Sequence, residues 1–432
     1  MSCNNSFQTN YLFSPIYYAD DWKCKILYDL ATWKNGLAFK NKDFSKAGRP
    51  IIKIAELKNG ITPQTKYTNK FFDEAALLKK GDLLFSWSGN PDTSIDVFWF
   101  DLPEGWLNQH IFKITVDERI ADKKYFYYLL KYLKPNFKAI ASNKQTTGLG
   151  HVTISDLKNI IIKLPPLHEQ KAIAKILSDL DEKIEINNRI NKVLEEIAQT
   201  IFKRWFIDFE FPNENGEPYK SSGGEMVDSE LGPIPKGWEV GRLGEYISFV
   251  KGKKPKNIIE NKIDGYVEYL TIDVLSNNSR LFADPEKMVI VENKNNMMVM
   301  DGASSGTIYF GFKGIVASTL AKIEVINNKL NDDILYFILK YYENDIKNHT
   351  TGSAIPHADK EYIKRLSIAF PQDNELINQY FRLSKNIRNQ IYIIIMENQN
   401  LSQLRDALLP KLMSGEIRVD LNNDQIVLKN ED

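Results

Sequence analysis

The chain says nearly the same thing twice, and an internal duplication constrains a fold more than any single motif can. A strand-rich, basic block runs from Trp22 through Gly81-Asp82-Leu83-Leu84, Thr146-Thr147-Gly148 and Pro165 into a helical stretch ending near Phe209. It recurs from Trp238 through Gly302, Thr350-Thr351-Gly352 and Pro371 into a second helical stretch ending near Met413. The offset is 216 at the Trp pair (238 minus 22), 204 at the Thr pair (350 minus 146) and 206 at the Pro pair (371 minus 165), a drift that small insertions and deletions explain. Two equivalent blocks joined by two equivalent helices suit a molecule that measures two sites at a fixed distance.

At 432 residues the chain exceeds one hydrophobic core, so two domains plus a helical element are expected. Residues 1–10 are polar and no apolar run approaches the roughly 18 residues of a membrane span, which predicts a cytoplasmic protein. Two cysteines, Cys3 and Cys24, exclude a disulfide framework and a four-cysteine zinc site, and are expected as free thiols. Overall charge is balanced, 56 basic against 56 acidic residues, which argues against indiscriminate coating of nucleic acid. Locally it is not balanced: residues 22–53 carry eight Lys/Arg against two acids, 131–164 six against one, and 236–256 six against two. Residues 340–366 are weaker, with five against four. Each cluster alone reads equally well as solvated lysines. Recurrence at matching places favours a polyanion partner, because phosphate neutralisation supplies most sequence-independent affinity.

The blocks read as α+β, with short β-branched and aromatic runs separated by Gly, Asn, Pro and Asp turns. After Pro165 the period changes. Steps of four and three from Ile173 land on Leu177, Leu180, Ile184, Asn187, Asn191, Leu194, Ala198, Ile201 and Trp205, a heptad seam with two polar positions at its centre. The equivalent walk gives Leu376, Tyr380, Leu383, Ile387, Gln390, Ile394, Glu397, Leu401, Leu404 and Leu408. Each stretch of about 40 residues could span on the order of 60 Å, and two such helices most simply pack antiparallel. The run Ile391-Tyr392-Ile393-Ile394-Ile395-Met396 is apolar all round, so it should be buried on several sides or meet another protein. The boundaries read are 1–165 for the first block, 166–211 for the central helix, 212–237 for a flexible linker, 238–371 for the second block and 372–420 for the C-terminal helix.

No catalytic constellation emerges. The five histidines, His110, His151, His168, His349 and His357, lack metal-ligand spacing with acids or cysteines, and no phosphate-binding loop, dinucleotide fingerprint or nucleophile elbow occurs. His168-Glu169-Gln170 reads as a helix start, with Glu169 complementing the helix dipole. The chain reads as a binder.

The arrangement resembles the specificity subunit of type I restriction-modification systems along essentially its whole length. The resemblance rests on Leu164-Pro165-Pro166-Leu167-His168-Glu169-Gln170, on Ile201-Phe202-Lys203-Arg204-Trp205-Phe206-Ile207-Asp208-Phe209, on Gly232-Pro233-Ile234-Pro235-Lys236-Gly237-Trp238, and on Leu408-Leu409-Pro410-Lys411-Leu412-Met413-Ser414-Gly415. Phe370-Pro371-Gln372-Asp373-Asn374 departs from the pattern where the second helix begins. The resemblance implies two similar target recognition domains separated by a pair of long antiparallel, coiled-coil-like helices with pseudo-two-fold repetition. Each domain would read one half of a bipartite double-stranded DNA site, and the helices would set the spacer and dock two modification subunits. Those partners would carry S-adenosylmethionine and methylate adenine, and restriction subunits would add ATP- and Mg-dependent translocation and cleavage. This chain would hold no cofactor and no chemistry. A protein-interaction scaffold, a self-contained two-lobed enzyme and the recognition subunit of a related restriction system stand as alternatives.

Base-reading candidates are the loops repeated in both copies: Lys144, Gln145, Thr146, Thr147 and His151 in one, and His349, Thr350, Thr351, Ser353 and His357 in the other. Ser86, Trp87, Ser88, Ser304 and Ser305 form a second tier. Lys34, Lys251, Lys253, Lys254 and Lys256 are candidates for phosphate. For the Thr-Thr-Gly segments a plain structural turn is an equal reading, and Trp22 and Trp238 are expected in the core.

Overall fold

The structure, a computed structural model, describes residue 19 and residues 21–145, 148–276, 279–327, 329–352, 355–372, 374–422 and 425–429. It resolves into two compact units. The first comprises Met1–Glu182 and Gln403–Asp432, and the second Lys183–Ser402. The division falls inside both long helices, so each unit owns a piece of each.

In the first unit, strands β1 (Ala31–Asn35), β2 (Leu83–Ser86), β3 (Asp96–Trp99) and β4 (Ile111–Val116) form an antiparallel sheet in the order β1-β4-β2-β3. Central β2 is buried at every position, as its continuous Leu-Leu-Phe-Ser run requires. Helix α1 (Lys123–Tyr132) follows, its first turn capped by the Asp122 carboxylate accepting from the Tyr125 N–H at 2.9 Å. Phe126 and Leu129 of α1 pack with Leu83, Phe85, Phe112, Ile114 and Phe137 to make the core. Helix α2 (Leu167–Phe202) begins in this unit.

The second unit repeats the plan. Strands β5 (Ile247–Lys251), β6 (Asn296–Val299), β7 (Ile308–Tyr309) and β8 (Leu320–Val325) are ordered β5-β8-β6-β7, followed by α3 (Asp332–Tyr341) and α4 (Asn374–Ser414). Each unit also holds a smaller sheet with one parallel pair, Arg49–Ile52 beside Gly105–Leu107 and Val267–Leu270 beside Gly314–Val316. Each is closed by a strand pair joining its opening to its end: Lys23–Ile26 with Ile161–Leu164, and Trp238–Arg242 with Ser367–Pro371. The duplication is therefore one of topology as well as of sequence. Trp22 and Trp238 are both buried.

Within each unit the helical pieces run antiparallel. In the second, Asn187 donates to Glu397 and Asn398 at 2.8 Å, Asn398 donates to Asn188 at 2.9 Å, and Phe202 and Trp205 meet Tyr380. In the first, Arg405 binds Asp181 at 2.7 Å, and Arg418, beyond the end of α4, grips the fully buried Glu169 near the start of α2 at 2.7 Å and Asp21 at 2.9 Å. Ile173, Leu177 and Asn187 of α2 are buried, and Leu180, Ile184, Asn191, Leu194 and Ile201 are partly covered. On α4 the seam departs from expectation. Ile387, Ile394, Leu401 and Leu408 are partly covered, whereas Leu383 and Leu404 are 45% and 48% exposed. The alternating positions are taken instead by Ser384, Ile391, Asn398, Arg405 and Leu412. The polar members of that set are held by hydrogen bonds or ion pairs, among them Arg405 to Asp181 and Asn398 to Asn188. A second apolar stripe, Ile186, Ile190, Val193 and Ile197, lies on α2 at four- and three-residue steps and is 41% to 52% exposed.

Two further expectations are corrected. Residues 212–237 are more than a tether: Phe211 stacks on both Tyr219 and Trp238, and Met226–Val227 pairs with Ile234–Pro235. Cys24 is disulfide-bonded and no free thiol, and Cys3 lies outside the described residues. Among the described residues no helix is long and apolar enough to cross a membrane.

Candidate nucleic-acid interface

Three hydrogen bonds and one strand pairing build the same backbone frame in both units. In the first, the chain leaves β1 at Asn35, and Gly36 donates to the Ile111 carbonyl at 3.1 Å. A side chain at Gly36 would collide with the Asn108 carbonyl, so the crossing requires glycine. Trp87, just beyond β2, donates to His110 O at 3.3 Å and accepts from Val152 N at 2.8 Å, and His151 pairs opposite Ser88 in a short ladder. In the second unit Gly252 donates to Leu320 at 3.0 Å, again where a Cβ would strike a carbonyl, that of Ala317. Met300 donates to Thr319 and accepts from Ala358, both at 2.8 Å, and His357 pairs opposite Asp301. The Ser/Gly loop and the histidine that follows each Thr-Thr-Gly segment, separate candidates in the sequence, thus meet in one place in each unit.

The first frame carries an aromatic and amide cluster. The Trp87 indole stacks on Phe112, lies 5.9 Å from both the His110 and His151 rings, and donates to Asn35 Oδ1 at 3.1 Å. Ser88 Oγ and His151 Nδ1 are 2.9 Å apart, and Gln109 Nε2 is 3.3 Å from His110 Nε2. Burial first, and then the neighbouring His151, hold the His110 imidazole below its ordinary value, so at neutral pH it is an uncharged donor and acceptor. The second frame carries ions. Asp301 receives His357 Nδ1 at 2.8 Å and lies 3.2 Å from Lys251 Nζ. Burial alone would raise the Asp301 carboxyl, but the bonds from His357 and Lys251 outweigh it and hold the group below the usual carboxylate range.

The other sequence candidates are distributed around these frames. Ser86 and Ser305 are buried with their hydroxyls given to carbonyls, Ser86 to Ser94 and Ser305 to Gly302 and Pro356, which makes them supports of the loops. Ser304 is half-buried, Thr350 is half-buried, and Gln145 and Thr351 are exposed. His349 stacks flat on Tyr362 at 4.0 Å. Thr146, Thr147 and Ser353 lie outside the described residues. Lys34 and Lys144 are drawn into ion pairs with Asp73 and Asp156, and Lys131 and Lys134 converge on Asp96, so much of the first block's excess charge is locally matched. Lys253, Lys254 and Lys256 are exposed, and among the described residues no acid pairs with them. Sequence reading missed Asn35, Gln109, His110 and Thr319. The signal available was the repeated glycine after Asn35 and Lys251. Among the described residues no group of three His, Cys, Asp or Glu could hold a metal ion.

A family model described as the type I restriction modification DNA specificity domain matches residues 19–196 and again 235–397. The chain is 31% identical over 183 residues to the type I restriction enzyme MjaVIII specificity subunit of Methanocaldococcus jannaschii, an alignment covering 42% of this chain and 43% of that protein. It is 29% identical over 325 residues to the MjaIX specificity subunit of the same organism, covering 71% of each. Among solved structures it is similar to a type I restriction-modification S subunit from M. genitalium, at 20% identity and a TM-score of 0.48, over 95% of this chain and 98% of that one.

Proposed function

Since the chain belongs to the type I restriction-modification DNA specificity family, whose domain it carries twice, we propose that each unit reads one half of a bipartite double-stranded DNA site. The observation that carries this reading is the backbone frame built twice, each time presenting hydrogen-bonding side chains at the meeting of two loops. Duplex recognition needs such groups at base edges, with cations beside them for phosphate. Lys253, Lys254 and Lys256 supply the cations in the second unit. On this reading the helix pair sets the distance between half-sites, and the subunit itself is non-catalytic and cytoplasmic.

The same proposal assigns the exposed stripe Ile186, Ile190, Val193 and Ile197 to docking of modification subunits, two per complex. Four large aliphatic side chains in heptad spacing on a helix whose other face is already packed call for an apolar helical cover. Those partners would bring S-adenosylmethionine and methylate adenine, and restriction subunits would bring ATP- and Mg-dependent cleavage.

The test is co-expression with a modification subunit followed by mapping of methylated adenines. A bipartite motif with a constant gap is expected. One continuous motif would overturn the two-reader assignment. Absence of methylation, together with DNA binding that does not weaken from about 50 to 200 mM salt, would overturn DNA recognition altogether.

A further inference from the structure

The two frames superpose position for position in their hydrogen bonding yet carry different side chains. Asn35 in the first corresponds to Lys251 in the second, since each ends the edge strand and precedes the crossing glycine. Ser88 corresponds to Asp301, because each lies opposite a histidine, His151 or His357. His110 corresponds to Thr319, because each carbonyl accepts the N–H that follows the central strand. Gln109 and Ser318 precede these. Framework positions stay alike, with Gly36 matched by Gly252 and Gly89 by Gly302. Apart from the buried Ser88, the differences fall on partly or fully exposed side chains, whereas a need of the fold itself would act alike on both copies.

We propose that these positions, 35, 88 and 109–110 in the first unit and 251, 301 and 318–319 in the second, are the specificity-determining set, and that the two half-sites differ in sequence because these side chains differ. The assignment rests on the DNA-specificity reading above and deepens it. The first unit offers two amides, Asn35 and Gln109, whose paired donor and acceptor suit an adenine edge in the major groove. The indole of Trp87 holds Asn35 in place, and His110 holds Gln109. The second unit offers Lys251, a donor suited to the guanine edge, steadied by Asp301, and Thr319, whose carbonyl accepts from the N–H groups of Met300 and Asp301. Lys251 thereby moves from a backbone contact to a base reader. His151 and His357, common to both, orient Ser88 and Asp301.

The experiment maps methylated adenines for the assembled complex carrying Gln109→Ala, His110→Ala, Lys251→Ala or Thr319→Ala, beside the unmodified complex. Each variant should lose roughly tenfold of its discrimination at one or two base pairs of a single half-site, with the other half-site and the gap unchanged. The first two variants should affect one half-site and the last two the other. Uniform weakening at all sites, or an unchanged motif at unchanged rate, overturns the assignment. If an alanine variant fails to fold by thermal melting, Gln109→Glu, which keeps the shape and removes the amide donors, takes its place and must change the same base pairs. An unmodified complex without a bipartite motif would instead sink the DNA-specificity reading itself, and the two failures are thereby told apart.

Discussion

Arg388 should be the most sensitive single position in the second unit. It lies on α4 with 3% of its side chain exposed, pairs with Asp333 at 3.0 Å, and donates to the Lys294 carbonyl at 2.6 Å and Asn296 Oδ1 at 3.0 Å. Its guanidinium stands 4.5 Å above the Phe310 ring and 5.3 Å from that of Tyr336. Burial lowers its pKa despite Asp333 and Asp332 nearby, a sign of how little water reaches it. Arg388→Ala removes the cation and leaves Asp333 and the buried Asn296 short of a donor. Breaking a buried pair costs about 3–5 kcal/mol, and loss of the ring contacts adds about 1 kcal/mol. For a unit of this size each kcal/mol moves the melting point by about 2–4 °C, so a fall of roughly 8–24 °C is expected in the transition of the second unit. Arg388→Lys keeps the charge without the planar fork and should fall between. Differential scanning calorimetry reads both, with exposed Arg382→Ala as control. A drop for Arg388→Ala no larger than the control would refute the claim that this one side chain ties the helix to the sheet.

Three other outcomes are expected. Replacing Asn187 and Asn398 together by leucine should raise the melting point while loosening the helix register, seen as a methylation motif with more than one gap length, because a buried amide pair specifies alignment at some cost in stability. Arg418→Ala should destabilise the first unit by about 3 kcal/mol in urea unfolding, since Glu169 is wholly buried. For His110 the folded pKa lies below the ordinary 6.5, so the unfolded chain binds the proton more readily and stability present above that value is lost as pH falls through and below it. His110→Gln should flatten this part of the pH profile measured by thermal melting.

The duplication was legible because glycines, buried tryptophans and prolines punctuate both copies alike, and the helices because their period differs so plainly from that of the blocks. The phase of the second seam was misread for a definite reason. Two heptad walks share Tyr380, Ile387, Ile394, Leu401 and Leu408 and differ only in between. Apolarity favours Leu383 and Leu404, while the chain buries Ser384 and Asn398 and partly buries Arg405, and the partners Asn188 of Asn398 and Asp181 of Arg405 lie far away in sequence. The linker was misjudged because its Gly, Ser and Pro content hid the stacking of Phe211 on Tyr219 and Trp238. The interface was half legible. The loops could be found by repetition, but Asn35, Gln109 and His110 join them only through strand pairing, and no linear spacing encodes which edges meet.

The stripe on α2 has a consequence for the cell as well as for the complex. A chain made in excess of whatever covers Ile186, Ile190, Val193 and Ile197 shows bare aliphatic surface to every other copy, and such surfaces self-associate. Surplus reader would then be lost to aggregation and proteolysis before it could occupy its sites on the chromosome and block them. If modification subunits cover the stripe as proposed, supply of the recognition chain would be held to the supply of that partner, with no regulator needed beyond the insolubility of four side chains.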